Sequence, residues 1–229
     1  MKDATISLVT RPPLLATAFC CAALLVTALP LGAASGFDLM QQRWETLAGY
    51  SVTIESHEVM GDQSDDHEFH YSFHKPTHAQ LDIVRGTRSG GTILWEGGDG
   101  VVAYKRPFTI LREHANAWDV NLTSLRGNGI LSSNMGDLID CLGAHRGALR
   151  EKPGPVLDGV ATDEISLAYA GFTCPDDSTT DRGAVTLDVV DVASATGLVL
   201  LRTRYQGSAV VERWELKDYK IDAPSIGPG

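Results

Sequence analysis

From residue 69 to residue 74, aromatic and polar side chains alternate without a break: Phe69, Tyr71 and Phe73 against His70, Ser72 and His74. A period of two places the three rings on one face of an extended strand and both histidines on the other. A face this apolar has to be buried, so the chain must supply strands beside it and something to lie over them. Further alternation follows. Val52 and Ile54 alternate with Thr53 and Glu55 in a strand over residues 50–59, and Leu81 and Ile83 mark another. Strands over residues 92–95 and 101–104 flank Gly97-Gly98-Asp99-Gly100, a tight hairpin connection. In the second half, strands are predicted over residues 159–169, 184–192, 197–205 and 209–219, with turns at Ser194-Ala195-Thr196-Gly197 and Gln206-Gly207-Ser208. Residues 61–66 read as a polar loop. Residues 107–129 show no sustained period and read as loop with short turns.

Two segments change period. Ser35 is a suitable N-cap for a helix in which Phe37, Met40, Trp44 and Leu47 recur at helical spacing, and Gly49 ends it. A second helix follows Ser133, with Leu138, Cys141, Leu142, His145 and Leu149 along one side and Gly154 beyond its end. The order is helix, strands, helix, strands. It predicts an α+β fold with one large antiparallel sheet.

The first 34 residues form a pattern of their own. Lys2 and Arg11 precede an apolar run over residues 14–31, which closes on Gly32-Ala33-Ala34-Ser35. Basic region, apolar core and small-residue exit are the marks of a secretory signal peptide, so residues 35–229 are expected as a single exported domain. Phe19 before Cys20, and Cys20 before Cys21, argue against a lipid-modified cysteine. The chain carries 19 Lys and Arg against 29 Asp and Glu, a net charge of −10. That balance excludes nucleic acid and anionic membrane surfaces as partners. Beyond the leader only Cys141 and Cys174 remain, and an even count in an oxidising compartment makes one disulfide the default, with free thiols the alternative. The bridge would close a loop of about 33 residues and stabilise the fold by roughly 3–4 kcal/mol.

Catalytic signatures are missing. The sequence has no Gly-x-Ser-x-Gly elbow, no phosphate-binding glycine loop and no His-Glu-x-x-His pair, so neither enzyme activity nor a cofactor is expected. One cluster invites a metal: His57, His67, His70, His74 and His78, with Asp65, Asp66 and Glu68 among them. On a helix, positions 67, 70, 74 and 78 would share a face. The aromatic alternation calls for a strand instead, and the histidines then read as a solvent-facing polar edge without metal.

Several of these stretches resemble a known family. Tyr50-Ser-Val-Thr-Ile-Glu-Ser-His-Glu-Val-Met-Gly61, Phe69-His-Tyr-Ser-Phe-His-Lys-Pro76 and Ala79-Gln-Leu-Asp-Ile83 are similar to the opening strands of LolA-type periplasmic lipoprotein carriers. Gly91-Thr-Ile-Leu-Trp-Glu-Gly-Gly-Asp-Gly-Val-Val-Ala-Tyr104 resembles the family's hairpin. Thr186-Leu-Asp-Val-Val-Asp-Val192, Thr196-Gly197-Leu198 and Trp214-Glu-Leu-Lys-Asp-Tyr219 resemble its closing strands. The resemblance implies an unclosed β-barrel: a curved antiparallel sheet whose concave face is covered by helices. It also implies a periplasmic protein that binds a lipid, or the acyl group of a lipoprotein, in an apolar groove. Shielding an acyl chain is worth roughly 0.8 kcal/mol per CH₂, so such a groove needs no charged anchor. The candidate lining is Phe69, Tyr71, Phe73, Leu81, Ile83, Ile93 and Trp95, with Met40 and Trp44 of the first helix as a lid. The same residues would equally serve as core. The alternative on this scaffold is an envelope sensor or adaptor that binds a protein partner, such as an envelope membrane protein.

Overall fold

The alternating segments pair into one antiparallel sheet. The computed structural model describes residues 34–105, 108–169 and 185–222, all within one compact unit. Apart from Ala34, the expected leader lies outside them, as does Cys174. The chain runs α1 (Gly36–Thr46), β1 (Gly49–Met60), β2 (Gln63–His74), β3 (His78–Arg85), β4 (Gly91–Trp95), β5 (Gly100–Lys105) and β6 (Phe108–Asn116). It continues with α2 (Met135–Ala144), a 3-10 turn (Arg146–Ala148), β7 (Arg150–Leu157), β8 (Val160–Ala168), β9 (Leu187–Ala193), β10 (Val199–Gln206) and β11 (Ala209–Ile221).

The 11 strands are ordered β6-β5-β4-β3-β2-β1-β11-β10-β9-β8-β7. Two meanders therefore meet at the β1–β11 pair, and β6 and β7 form opposite, unjoined edges. A flat sheet of this width would measure roughly 48 Å across, and sheets of this size curl. The sheet is curved and unclosed, as the resemblance implies.

Register defines the buried face. Val52, Tyr71, Leu81 and Ile93 stand opposite one another across β1–β4, and Ile165 pairs with Val190 across β8–β9. Phe37 and Met40 of α1 and Leu138, Ile139 and Leu142 of α2 join these strands in one core. The Ser35 hydroxyl caps α1 by accepting from Asp38 N–H at 3.1 Å, and Asn134 caps α2 by accepting from Gly136 N–H at 2.9 Å. Tyr50, on β1, accepts Met135 N–H through its hydroxyl at 3.1 Å, which ties the start of α2 to the sheet.

Four expectations need correction. Residues 63–66 are strand, because β2 keeps pairing with β1 as far as Met60–Gln63 and His57 meets Asp66 at 2.7 Å. The stretch read as loop contains β6, an edge strand with only β5 beside it. β7 was hidden by Pro153 and Pro155, which an edge strand tolerates because one side donates no ladder bonds. The second helix stops at Ala144, well short of Gly154, and Leu149 follows the 3-10 turn. Cys141 is buried on α2 and disulfide-bonded; its expected partner Cys174 is outside the described residues.

The two helices touch where Trp44 lies over Gly136. A Cβ there would stand 2.5 Å from Trp44 Cζ2. The ring cannot retreat easily, since it packs on Phe73 with centroids 5.4 Å apart and carries Lys75 Nζ 4.2 Å above it. Gly136→Ala should therefore destabilise the domain by about 1–3 kcal/mol. Thermal melts followed by circular dichroism should show a drop of roughly 3–10 °C. An unchanged melting temperature would mean that α1 and α2 do not pack this way.

Candidate ligand-binding groove

Because β6 and β7 lie at opposite edges, the chain between them must cross the concave face. Residues 117–134 make the first part of that crossing, and one carboxylate holds them down. Glu58 faces inward from β1, 1% exposed, on the same parity as Val52, Ile54 and Ser56. It accepts hydrogen bonds from Ser124 Oγ at 2.7 Å, Arg126 N–H at 2.9 Å and Asn128 Nδ2 at 2.9 Å. Its register partner on β11 is a second buried acid, Glu212. Two like charges directly opposed destabilise a sheet unless something stands between them. Asn128 does so by donating also to Glu212 Oε2 at 2.9 Å, while Arg126 Nε lies 3.9 Å and Arg204 Nη1 3.3 Å from the same oxygen. The row continues through Asp188, which Arg202 grips through Nε at 3.0 Å and Nη2 at 2.6 Å. Burial first, and then the Glu212 charge, push the Glu58 carboxyl up to about 7. A second tie comes from the β3–β4 turn, where Arg88 donates to Thr123 O at 2.9 Å and Val120 O at 3.3 Å.

Beneath the crossing segment lie two cavities of about 30 Å³ each. One is lined by Phe69, Leu81, Ile83, Ile93 and Leu122, with His67, Thr123 and Trp214. The other lies between Tyr50, Ile54, Met135, Leu138, Leu216 and Tyr219. Each has room for only one or two water molecules. The first shares Ile83, Arg88, Ile93 and Leu122 with a larger open groove of 360 Å³, which also touches Ala103, Lys105 and Glu113. That size falls in the range of small-molecule sites.

The predicted lining residues therefore divide. Phe69, Leu81, Ile83 and Ile93 line the inner cavity, and Ile83 and Ile93 also line the groove. Tyr71, Phe73 and Met40 are core, each at most 1% exposed, and Trp44 and Trp95 pack against that core. These five line none of the three hollows. Sequence reasoning missed Glu58, His67, Thr123 and Trp214. The signal for the first was available: a carboxylate on the buried parity of a strand.

His57, His70, His74 and His78 are exposed, His70 and His74 on the face opposite the aromatics, but His67 departs from the expected solvent-facing edge: it is buried, with its ring stacked on Phe69. No group of three metal-ligating side chains occurs among the described residues. Ser56 and His67 are directly opposed on β1–β2, and Asp65 Oδ2 lies 3.5 Å from His67 Nε2. This trio lacks the nucleophile–base hydrogen bond of a hydrolase, since neither Ser56 Oγ nor His67 Nδ1 has a partner.

Glu58 makes the anchor pH-dependent. Its folded-state value lies above its ordinary value of 4.5, so the folded chain retains a proton that the unfolded chain has released. Stability should fall as pH rises from about 4.5 to about 7 and level off above, by up to about 3 kcal/mol. Glu58→Gln should remove that slope, as judged from urea unfolding at pH 5 and pH 8. Equal slopes in variant and parent would show that this carboxyl is not the titrating group.

No family model and no curated protein matches the chain. Among solved structures, it is similar to a putative outer membrane lipoprotein-sorting protein domain from Vibrio parahaemolyticus, with 10% identity over 82% of this chain and 92% of that one, TM-score 0.41. A LolA superfamily protein from Nitrosomonas europaea matches at 12% identity over 84% and 96%, TM-score 0.39. The MucA/MucB complex of Pseudomonas aeruginosa matches at 11% over 83% of this chain and 59% of that one, TM-score 0.43. The likeness is one of fold alone: an antiparallel sheet with unjoined edges, accompanied by helices.

Proposed function

We propose that the protein is an exported envelope carrier that binds a lipid, or the acyl group of a lipoprotein, in the groove beside β3–β5. The observation that carries this reading is the continuity of an open groove of 360 Å³ with the cavity under the crossing segment, through the apolar side chains Ile83, Ile93 and Leu122. A hollow of this kind selects by area, and burying a chain of ten or so methylenes is worth roughly 8 kcal/mol before the cost of ordering it. The leader pattern at residues 1–34 supports delivery across the inner membrane. The inner cavity is too small for a chain, so loading moves the crossing segment outward. Its polar ties, among them three to Glu58, one to Glu212, one to Val59 O and two from Arg88, are the contacts that would give way.

Native mass spectrometry with lipid extraction, on protein purified from the envelope, should show an acyl-bearing ligand at defined stoichiometry. Ala103→Trp fills the groove from β5 and should reduce occupancy at least about tenfold, equivalent to 1.4 kcal/mol, while leaving the protein folded. The same lipid load in that variant would move the site elsewhere. A stoichiometric protein partner in place of lipid would establish the adaptor reading.

A further inference from the structure

The inner cavity has two walls of opposite character, and only one of them is explained by an acyl chain. One is apolar, with Phe69 of β2, Leu81 and Ile83 of β3 and Ile93 of β4. The other carries His67 of β2 and Trp214 of β11, with Thr123 on the crossing segment. These three are 5%, 4% and 3% exposed, and His67 Nδ1, Trp214 Nε1 and Thr123 Oγ1 have no hydrogen-bond partner within the protein. Ser56 sits between His67 and Trp214 in the β2–β1–β11 register. It is 5% exposed, and its Oγ is unpartnered too. Buried polar atoms are almost always satisfied, so three on the lining of one hollow, with Ser56 beside two of them, describe what the hollow is made to hold.

The donor and acceptor roles narrow the occupant. Trp214 Nε1 can only donate, so the occupant must offer an acceptor. His67 Nε2 faces the Asp65 carboxylate at 3.5 Å, which favours the tautomer with its proton on that side and leaves Nδ1 an acceptor. The occupant must therefore also donate. The Ser56 and Thr123 hydroxyls take either role. An anion is disfavoured because Glu58 lines the cavity, with Glu212 directly opposite it across β1–β11, while Arg88, the cation of the lining, is engaged by Thr123 O and Val120 O. With about 30 Å³ available, the group has few heavy atoms.

We propose that the inner cavity is a head-group subsite that takes an uncharged group carrying both an acceptor and a donor, a hydroxyl or carboxamide at the end of a single acyl chain. The chain runs back past Ile83, Ile93 and Leu122 into the groove. This rests on the ligand reading of the groove given above, and deepens it by naming the class of head.

The test compares three ten-carbon probes on the full exported domain: 1-decanol, decanoate at pH 8, and decane. Affinities come from titration, and the ¹⁵N–¹H resonance of the Trp214 indole, identified by its loss in Trp214→Phe, reports contact with the head. Decanol should shift that resonance and bind at least about tenfold more tightly than decane or decanoate, because a site with buried polar groups rejects a partner that leaves them unmet. Trp214→Phe and Thr123→Val should each weaken decanol about fivefold and leave decane unchanged. If Thr123→Val fails to fold, the indole shift and the probe ranking in the parent protein decide; if Trp214→Phe fails to fold, the probe ranking in the parent decides. Equal binding of decanol and decane with an unmoved indole would overturn the subsite, leaving water as its occupant and the groove reading intact. Tighter binding of decanoate would overturn it in favour of a charged head. No binding by any probe would remove the groove reading and the subsite together.

Discussion

A buried carboxylate on the central strand holds the concave side of this protein together. The topology leaves β6 and β7 at opposite edges, so the chain between them has to pass over the hollow face. Residues 117–134 make that passage with Ala117 and Ile130 buried and Leu122 and Leu131 packed against the core. Their polar groups converge on Glu58, which collects a side-chain hydroxyl, a backbone amide and a side-chain amide from within five residues. Burying a charge is costly unless it is fully hydrogen-bonded, and here the bonding also positions the cover. The inner cavity exists because Glu58 fixes how closely the segment can approach β1–β4.

The concave face is thus divided by what lies over it. Near the start of β1, α1 and α2 pack side chain into side chain. Tyr50, Tyr71 and Phe73 there are as buried as any core residue. Further along β1 the cover is irregular chain, which cannot interdigitate as a helix does, and one small hollow persists under it, with a second where that chain runs into α2. One strand can therefore contribute a packed core at one end and a cavity wall at the other. Phe69 and Phe73, on the same face of β2, differ in role for this reason alone.

Much of the fold was legible because period-two alternation is a direct imprint of a half-buried sheet. β1, the aromatic half of β2, and β8–β11 follow from it, and Ser35 marks the start of α1. What failed was legible only in tertiary context. β6 and β7 are edge strands, and a strand with one neighbour is under weaker demand to alternate; the two prolines of β7 add a false loop signal. Residues 63–66 look like loop until β1 is beside them. In the site, alternation identifies the face but not the cover, so Phe69, Leu81, Ile83 and Ile93 could not be told from Tyr71, Phe73 and Trp95. Thr123 came from a segment with no period at all. Trp214 was visible as an inward residue of β11, but nothing in its neighbours announces an unpartnered indole.

The meeting of β1 and β11 at the centre of the sheet shapes how the molecule is made. Ser51 pairs with Lys220 and Glu58 with Glu212, so the middle of the sheet is stitched from the two ends of the domain. Pairings this distant in sequence are slow to form, because loop closure precedes their reward. A chain emerging from its N-terminal end presents β1 first and must wait for β11. Until then Glu58 lacks Glu212 and its surrounding arginines, and half the hydrogen-bonding edge of β1 is bare. Such an intermediate would be sticky towards other strands, so a chaperone holding β1–β6 would have the whole interval before β7–β11 follow to cover.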